Sequence, residues 1–291
     1  MKVDVFGITD VGLGRINNED AFAYCPNLTL LNWNKPTRGY VKSSNLGTIA
    51  IVADGMGGEN AGEVASSTVL EVIKREFKPH ALAPIVRSKK YIKKFLSKVV
   101  VEANNEIIKH ADCNPDTIGM GTTIVILWII NNVAYIAWCG DSRCYLFNPL
   151  NGLKSLTKDH SYVQELIDKG EITLKESYDH PDSSIITRCL GDCDASHDID
   201  VIEYELKKYD QFILCSDGLC GYCEDKKIEC ILYENLQDVE TRCEALVKLA
   251  LDSGGDDNIS IVNVSTIEDD EIALPINSKM KFKAFINRLF H

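Results

Sequence analysis

The chain has 291 residues, 45% of them hydrophobic and 25% charged, enough for a sizeable core in one large domain or two. A formal net charge of −12 argues against nucleic acid as the main partner, because phosphate-backbone binding needs clustered Lys and Arg. No apolar run is long enough to span a bilayer, the opening MKVDVFGITD lacks a signal-peptide core, and eleven cysteines without an export signal read as reduced thiols, so a soluble cytoplasmic protein is expected.

In chain order, VDVFGITDVG (3–12) and EDAFAYC (19–25) read as strands around a glycine turn, and residues 26–46 as a polar excursion. LGTIAIVAD (46–54) reads as a strand buried on both faces. From Ala61 the period changes: Val64, Ala65, Thr68, Val69, Val72 and Ile73 recur at helical spacing up to Pro79. A second helix over 89–110 carries Ile92, Phe95, Leu96, Val99, Val100, Ala103 and Ile107 on one stripe. TTIVILWII, VAYIAWC and RCYLFN are strands, the first two joined by a tight INN hairpin whose asparagines suit positive φ.

Residues 160–190 read as mixed and partly helical. IDVIEYEL and DQFILCSDG are further strands, helices follow near 225–234 and 238–253, and DNISIVNVS (257–265) closes the series. Runs of strands with paired helices give α+β order, satisfied by two packed antiparallel sheets with helix pairs outside. No linker interrupts this, so one domain is expected over 1–267. The tail 268–291 turns basic and amphipathic and is expected to dock as a helix, with a membrane-surface or partner helix as the rival reading.

Four stretches join an apolar strand to a turn at an aspartate: IVADGMGG at Asp54, AWCGDSR at Asp141, ILCSDGL at Asp217, and GGDDNISIV at Asp256 and Asp257. One such aspartate is usually a turn former or a helix cap. Several buried strands ending together would hold like charges close, which is costly unless a cation sits among them. Hard divalent ions take oxygen ligands of this kind, and the absence of His and Cys there favours Mg²⁺ or Mn²⁺ over zinc. DGMGGENAGE lacks the lysine of a phosphate-binding Walker loop and matches neither the dinucleotide fingerprint nor a calcium loop.

GITDVGLGRINNEDAF, IVADGMGGENAGEVAS, GMGTTIV, AWCGDSRCYLF, LTKDHSYVQELIDKGEIT, IITRCLG, DQFILCSDGL and DDNISIVNV occur in that order between residues 7 and 264. This succession resembles the metal-dependent Ser/Thr protein phosphatases of the 2C type, the PPM family, and its bacterial branch most. The resemblance implies a four-layer αββα sandwich with a metal site at one end. It implies that Asp54 bridges two Mn²⁺ or Mg²⁺ ions, that Gly55 offers its carbonyl to one, and that Asp217 and Asp257 bind the other. Asp141 with Asp217 matches the place of a third, weaker ion. Arg15 matches the arginine that binds substrate phosphate, and Glu19 and Asp20 match the acidic pair that orders water. The implied reaction is hydrolysis of phosphoserine and phosphothreonine in proteins by a hydroxide bridging the ions, opposing Ser/Thr kinases, with a kinase among the partners. The rival reading is a catalytically weak phosphoprotein-binding module of the same fold. A monomer is expected.

The chain departs from the pattern in places. Met56 stands where many eukaryotic members carry a histidine thought to act as general acid, so protonation of the leaving group passes to a water. Ser183 and Ser184 stand where bacterial relatives often have Arg and Asn, in the substrate-side flap, which bears on peptide choice. CGYC (220–223) has redox-dithiol spacing at what reads as a helix start, where a thiol pKa is lowered, but buried small residues are the expectation. His160 is expected to bond nearby backbone rather than catalyse, and the tryptophans of LWIINNVAYIAW to pack within the sandwich.

Overall fold

A computed structural model describes residues 1–57, 61–192 and 199–268. The chain opens with β1 (Lys2–Asp10) and β2 (Asp20–Cys25), passes through an excursion holding β3 (Val41–Lys42), and enters β4 (Thr48–Met56). Helices α1 (Ala61–Glu76), α2 (Pro79–Ile85) and α3 (Lys89–Cys113) follow, then β5 (Gly121–Thr122), β6 (Ile124–Ile130), β7 (Val133–Cys139), β8 (Arg143–Asn148) and β9 (Gly152–Ser155). After α4 (Tyr162–Lys169) and α5 (Leu174–Ser177) come β10 (Asp200–Glu205), β11 (Gln211–Cys215), α6 (Asp217–Cys220), α7 (Asp225–Glu234), α8 (Val239–Asp252) and β12 (Ile259–Ile267).

One sheet has the order β3-β1-β12-β11-β8-β9 and the other β10-β7-β6-β4-β2, with β5 beside β4. The pairings among named strands are antiparallel. Side chains alternate across each strand, and here both faces are covered, which is why the strands read as unbroken apolar runs. Ile49 and Ile51 of β4 pack with Val69 and Ile73 of α1 and Leu96 and Val99 of α3. Their neighbours Ala50 and Val52 pack with Leu214, Val262 and Val264 of the opposite sheet. Beyond that sheet, Ile213 and Ile261 pack with Leu232 of α7 and Leu246 of α8. The result is the expected αββα sandwich with three apolar layers. Truncating a fully buried isoleucine such as Ile51 to alanine costs about 2–5 kcal/mol.

Asn131 and Asn132 take φ of 49° and 62°, so the β6–β7 turn is the tight hairpin the sequence predicts. Trp128 sits under the helices and Trp138 between the sheets. Several short elements escape the sequence reading. Helix α2 starts at Pro79, where the apolar period seemed to end; a proline at the first helical position gives up an N–H that had no partner. Strands β3 and β9 are two and four residues long, too short to show a period.

Cys220 and Cys223 of CGYC are buried, as the sequence predicts, but the helix start read there needs correction. Helix α6 begins at Asp217 and ends at Cys220, so the cysteines lie at its C-terminal end and not at its start. A hydrogen bond with Cys215 and burial push the Cys220 thiol well above its usual value, and burial raises Cys223. None of the ten described cysteines is in a disulfide. The basic stretch at 276–291 lies outside the described residues. No described helix is long and apolar enough to cross a membrane.

Candidate metal centre

Antiparallel register places Asp20 of β2 directly opposite Asp54 of β4. Asp217 opens α6 immediately beyond β11, Asp257 precedes β12, and Asp141 follows β7 through Gly140. Gly140 has φ of 109°, and a Cβ there would lie 2.6 Å from the Thr123 side chain, so only glycine turns the chain at this point. Gly55 is equally constrained, since a Cβ would come within 2.6 Å of the Glu19 carbonyl. The backbone of Asp54 is clamped by Thr122 and Thr123. Its N–H donates to Thr123 Oγ1 at 3.1 Å, and its carbonyl accepts from Thr123 N–H and Thr122 Oγ1, each at 2.8 Å.

The structure thus draws Asp20, Asp54, Asp141 and Asp217 to one end of the sandwich, from four separate parts of the chain. Asp20 and Asp141 are buried; Asp54 and Asp217 keep part of their surface accessible while protein packs densely around them. Burial, together with the carboxylates of Asp20, Asp217 and Asp141, pushes Asp54 well above the usual carboxylate range. Burial, then Asp217 and Asp159, does the same to Asp141. Burial drives Asp20 to about 8 against hydrogen bonds from Ser216 and Ser260 that favour its charge. Asp217 rises to about 6 through burial and Asp257, offset by Asp54 and Arg15. Burial raises Glu19 as well.

Asp20 Oδ1, Asp141 Oδ1 and Asp217 Oδ1 are buried without a hydrogen-bond partner. Each such atom costs about 1–3 kcal/mol, more when charged, so three in one site call for a positive ligand. The nearby guanidinium groups are engaged elsewhere: Arg15 Nη2 on Asp257 Oδ2 at 2.8 Å, and Arg143 in a two-pronged pair with Asp159 at 2.7–3.1 Å. The donors are hard carboxylate oxygens, a set that fits Mg²⁺ or Mn²⁺. Among the described residues no three His, Cys, Asp or Glu side chains converge into a finished cage. Asp257 in particular spends Oδ2 on Arg15 and Oδ1 on the Asn258 N–H, at 2.8 Å each.

Asp141 and Asp217 also line a cavity of about 110 Å³ with Arg143, Ser183, Ser184 and Tyr222. The two serines that depart from the bacterial pattern therefore border the site. Sequence reasoning passed over Asn258. Its Oδ1 accepts the Glu19 N–H at 2.8 Å and its Nδ2 donates to the Val11 and Asn17 carbonyls at 2.9 Å, fixing the loop that carries Arg15. The signal was an amide following two aspartates at the mouth of a buried strand. Ser216, which donates to Asp20 Oδ2 at 2.7 Å, was missed in the same way.

Comparison with known proteins places the chain and its fold in a family. Residues 6–166 match the family described as Protein phosphatase 2C. The serine/threonine phosphatase stp of Listeria monocytogenes is 33% identical over 231 residues, 79% of this chain and 89% of that protein. The crystal structure of the serine/threonine phosphatase Stp1 from Staphylococcus aureus superposes with a TM-score of 0.78 at 31% identity, covering 91% of this chain and 95% of that one. The catalytic domain of the serine threonine protein phosphatase PstP, in complex with 2 manganese ions, matches with a TM-score of 0.71 at 29% identity over 92% and 99% of the two chains. The sandwich and its acidic pole define a phosphatase of the 2C class. The chain belongs to the protein phosphatase 2C family.

Proposed function

We propose that this chain removes phosphate from phosphoserine and phosphothreonine in proteins, opposing Ser/Thr kinases in bacterial-type signalling, and that it works with Mn²⁺ or Mg²⁺. The observation that carries the metal assignment is the trio of buried, unpartnered carboxylate oxygens on Asp20, Asp141 and Asp217. In this reading Asp54, the Gly55 carbonyl, Asp217 and Asp257 would hold two ions, and Asp141 with Asp217 would hold a third. Ions bound there supply Lewis acidity toward water and the phosphoryl oxygens.

The chain's own groups do the rest. Arg15 is half-exposed and anchored through Nη2, which leaves further guanidinium N–H groups for substrate phosphate; the planar fork suits that partner. Asp20, one oxygen held by Ser216 and the other without a partner, orders water beside its register partner Asp54, and Glu19 immediately precedes it at the mouth of β2. Met56 offers no proton, so the leaving hydroxyl takes one from water. The reading includes action as a monomer in the cytoplasm, where a largely buried set of thiols suits reducing conditions.

Hydrolysis of a phosphothreonine peptide and of p-nitrophenyl phosphate with Mn²⁺ tests the proposal. Turnover should vanish with EDTA and return with Mn²⁺. Full turnover by chelator-treated protein would overturn it.

A further inference from the structure

His160 stands outside the carboxylate cluster and is buried. Its backbone N–H donates to the Gly140 carbonyl at 3.0 Å, and its ring Nδ1 accepts the Gly140 N–H at 3.0 Å. Both polar groups of one glycine, the residue preceding Asp141, are thus held by a single residue. Nδ1 is an acceptor there, so the proton sits on Nε2, which donates to Asp200 Oδ2 at 2.9 Å. Burial, then the charge of Arg188, lowers the ring's pKa against the pull of Asp200, in the direction of the neutral tautomer that this pair of hydrogen bonds requires. The ring stacks on Trp138 at 6.1 Å.

The same residue also holds the segment that follows Ser183 and Ser184 of the cavity lining. Its carbonyl accepts the Thr187 N–H at 2.8 Å, and Arg188 joins Asp200 Oδ2 at 3.2 Å. Its neighbour Ser161 bridges to Ile186. Asp141, by contrast, has a buried Oδ1 with no partner to aim it. Its carboxylate bonds its own backbone N–H, so its direction follows the peptide, and a glycine at φ of 109° needs external restraint to hold one conformation.

We propose that His160 is a positioning residue: it grips the Gly140 peptide so that Asp141 faces its cation, and it ties that turn to the segment 185–188 beside the cavity. This rests on the reading of Asp141 as a metal ligand. An asparagine Oδ1 falls where Nδ1 of the ring was and can accept the Gly140 N–H. A glutamine Nε2 falls where ring Nε2 was and can donate to Asp200, but it leaves Gly140 unheld. Both substitutions lose the stack on Trp138.

The experiment is Mn²⁺ binding to the full chain, counted by electron paramagnetic resonance of free Mn²⁺, for the parent, Asp141→Asn, His160→Asn and His160→Gln, with melting curves of the chelator-treated proteins. Asp141→Asn should lose one class of bound ion. His160→Gln should weaken that same class by about 10- to 100-fold, as loss of an outer hydrogen-bond partner does, while His160→Asn stays close to the parent although both melt earlier. If Asp141→Asn binds every ion the parent binds, the ligand assignment fails and takes the role of His160 with it. If Asp141→Asn loses an ion but His160→Asn and His160→Gln bind alike, or bind in proportion to their melting temperatures, only the positioning role fails. Should His160→Gln not fold, Asp200→Ala provides the second arm. It spares the Gly140 contacts and should bind ions as the parent does; loss of the Asp141-linked ion there would overturn the proposal.

Discussion

Two buried sets of charge in this molecule make opposite bargains. On the α8 side of the sandwich, Arg242 is almost fully enclosed, and all its nitrogens meet oxygens. Nε donates to Asn263 Oδ1 at 2.9 Å, Nη2 to Ser265 Oγ at 2.7 Å, and Nη1 to the Asn235 carbonyl at 3.3 Å. At the acidic pole, carboxylates crowd one another and three of their buried oxygens have no hydrogen-bond partner. A satisfied buried charge fixes a structure, whereas an unsatisfied one waits for a ligand. Burial alone would not have told them apart; the account of donors and acceptors does.

The sharpest way to break this contrast is Asp54→Asn. Phosphatase turnover should fall by about 10³-fold, while the chelator-treated protein melts higher, because one of several crowded like charges is gone. A lower melting temperature would mean that the cluster is structural. The reverse is expected of Arg242→Met. It strands Asn263 and Ser265, so urea unfolding should report a loss of about 2–3 kcal/mol, with turnover per folded molecule unchanged. Arg15→Lys comes next: it keeps the charge and loses the fork, and kcat/KM for a phosphopeptide should drop by about tenfold, the worth of one charge-assisted hydrogen bond.

A pH dependence sharpens the same contrast. Asp20 at about 8 and Asp217 at about 6 lie above the 3.8 of an unfolded aspartate. Between those limits the folded chain binds more protons than the unfolded one, so without divalent ions stability is greatest at the acid end and falls as pH rises. Urea melts at pH 5 and pH 8 in EDTA should show this loss, and saturating Mn²⁺ should flatten it. A rise in stability toward pH 8 in EDTA would contradict the crowding of the carboxylates.

Much of this was readable in the residues. Doubly buried strands such as β4 and β6 announce themselves as apolar runs, and the stripes of α1 and α3 keep a clean helical period. The aspartates could be nominated because each ends such a strand beside glycine, serine or asparagine. What escaped reading is set by contacts distant in sequence. No local pattern shows that Arg143 will pair with Asp159, that Asn258 will clasp the loop at Val11 and Asn17, or that Arg15 will be drawn to Asp257, 242 positions away. The helix start at Asp217 was misplaced by three residues because a four-residue helix has too few turns to show an apolar stripe.

The course of β2 and β4 has a practical consequence. Asp20 begins β2 and Asp54 lies near the end of β4, so the excursion joining Cys25 to Thr48 emerges at the pole remote from the acidic residues. At Gly39 the space where a side chain would begin is open, with no atom within 4 Å of a Cβ placed there, although Thr37 moors the excursion to Asp4 and Val5. A fluorophore or short affinity peptide grafted at that point would ride on the molecule without touching its working end, offering a handle for immobilising the phosphatase with its mouth outward.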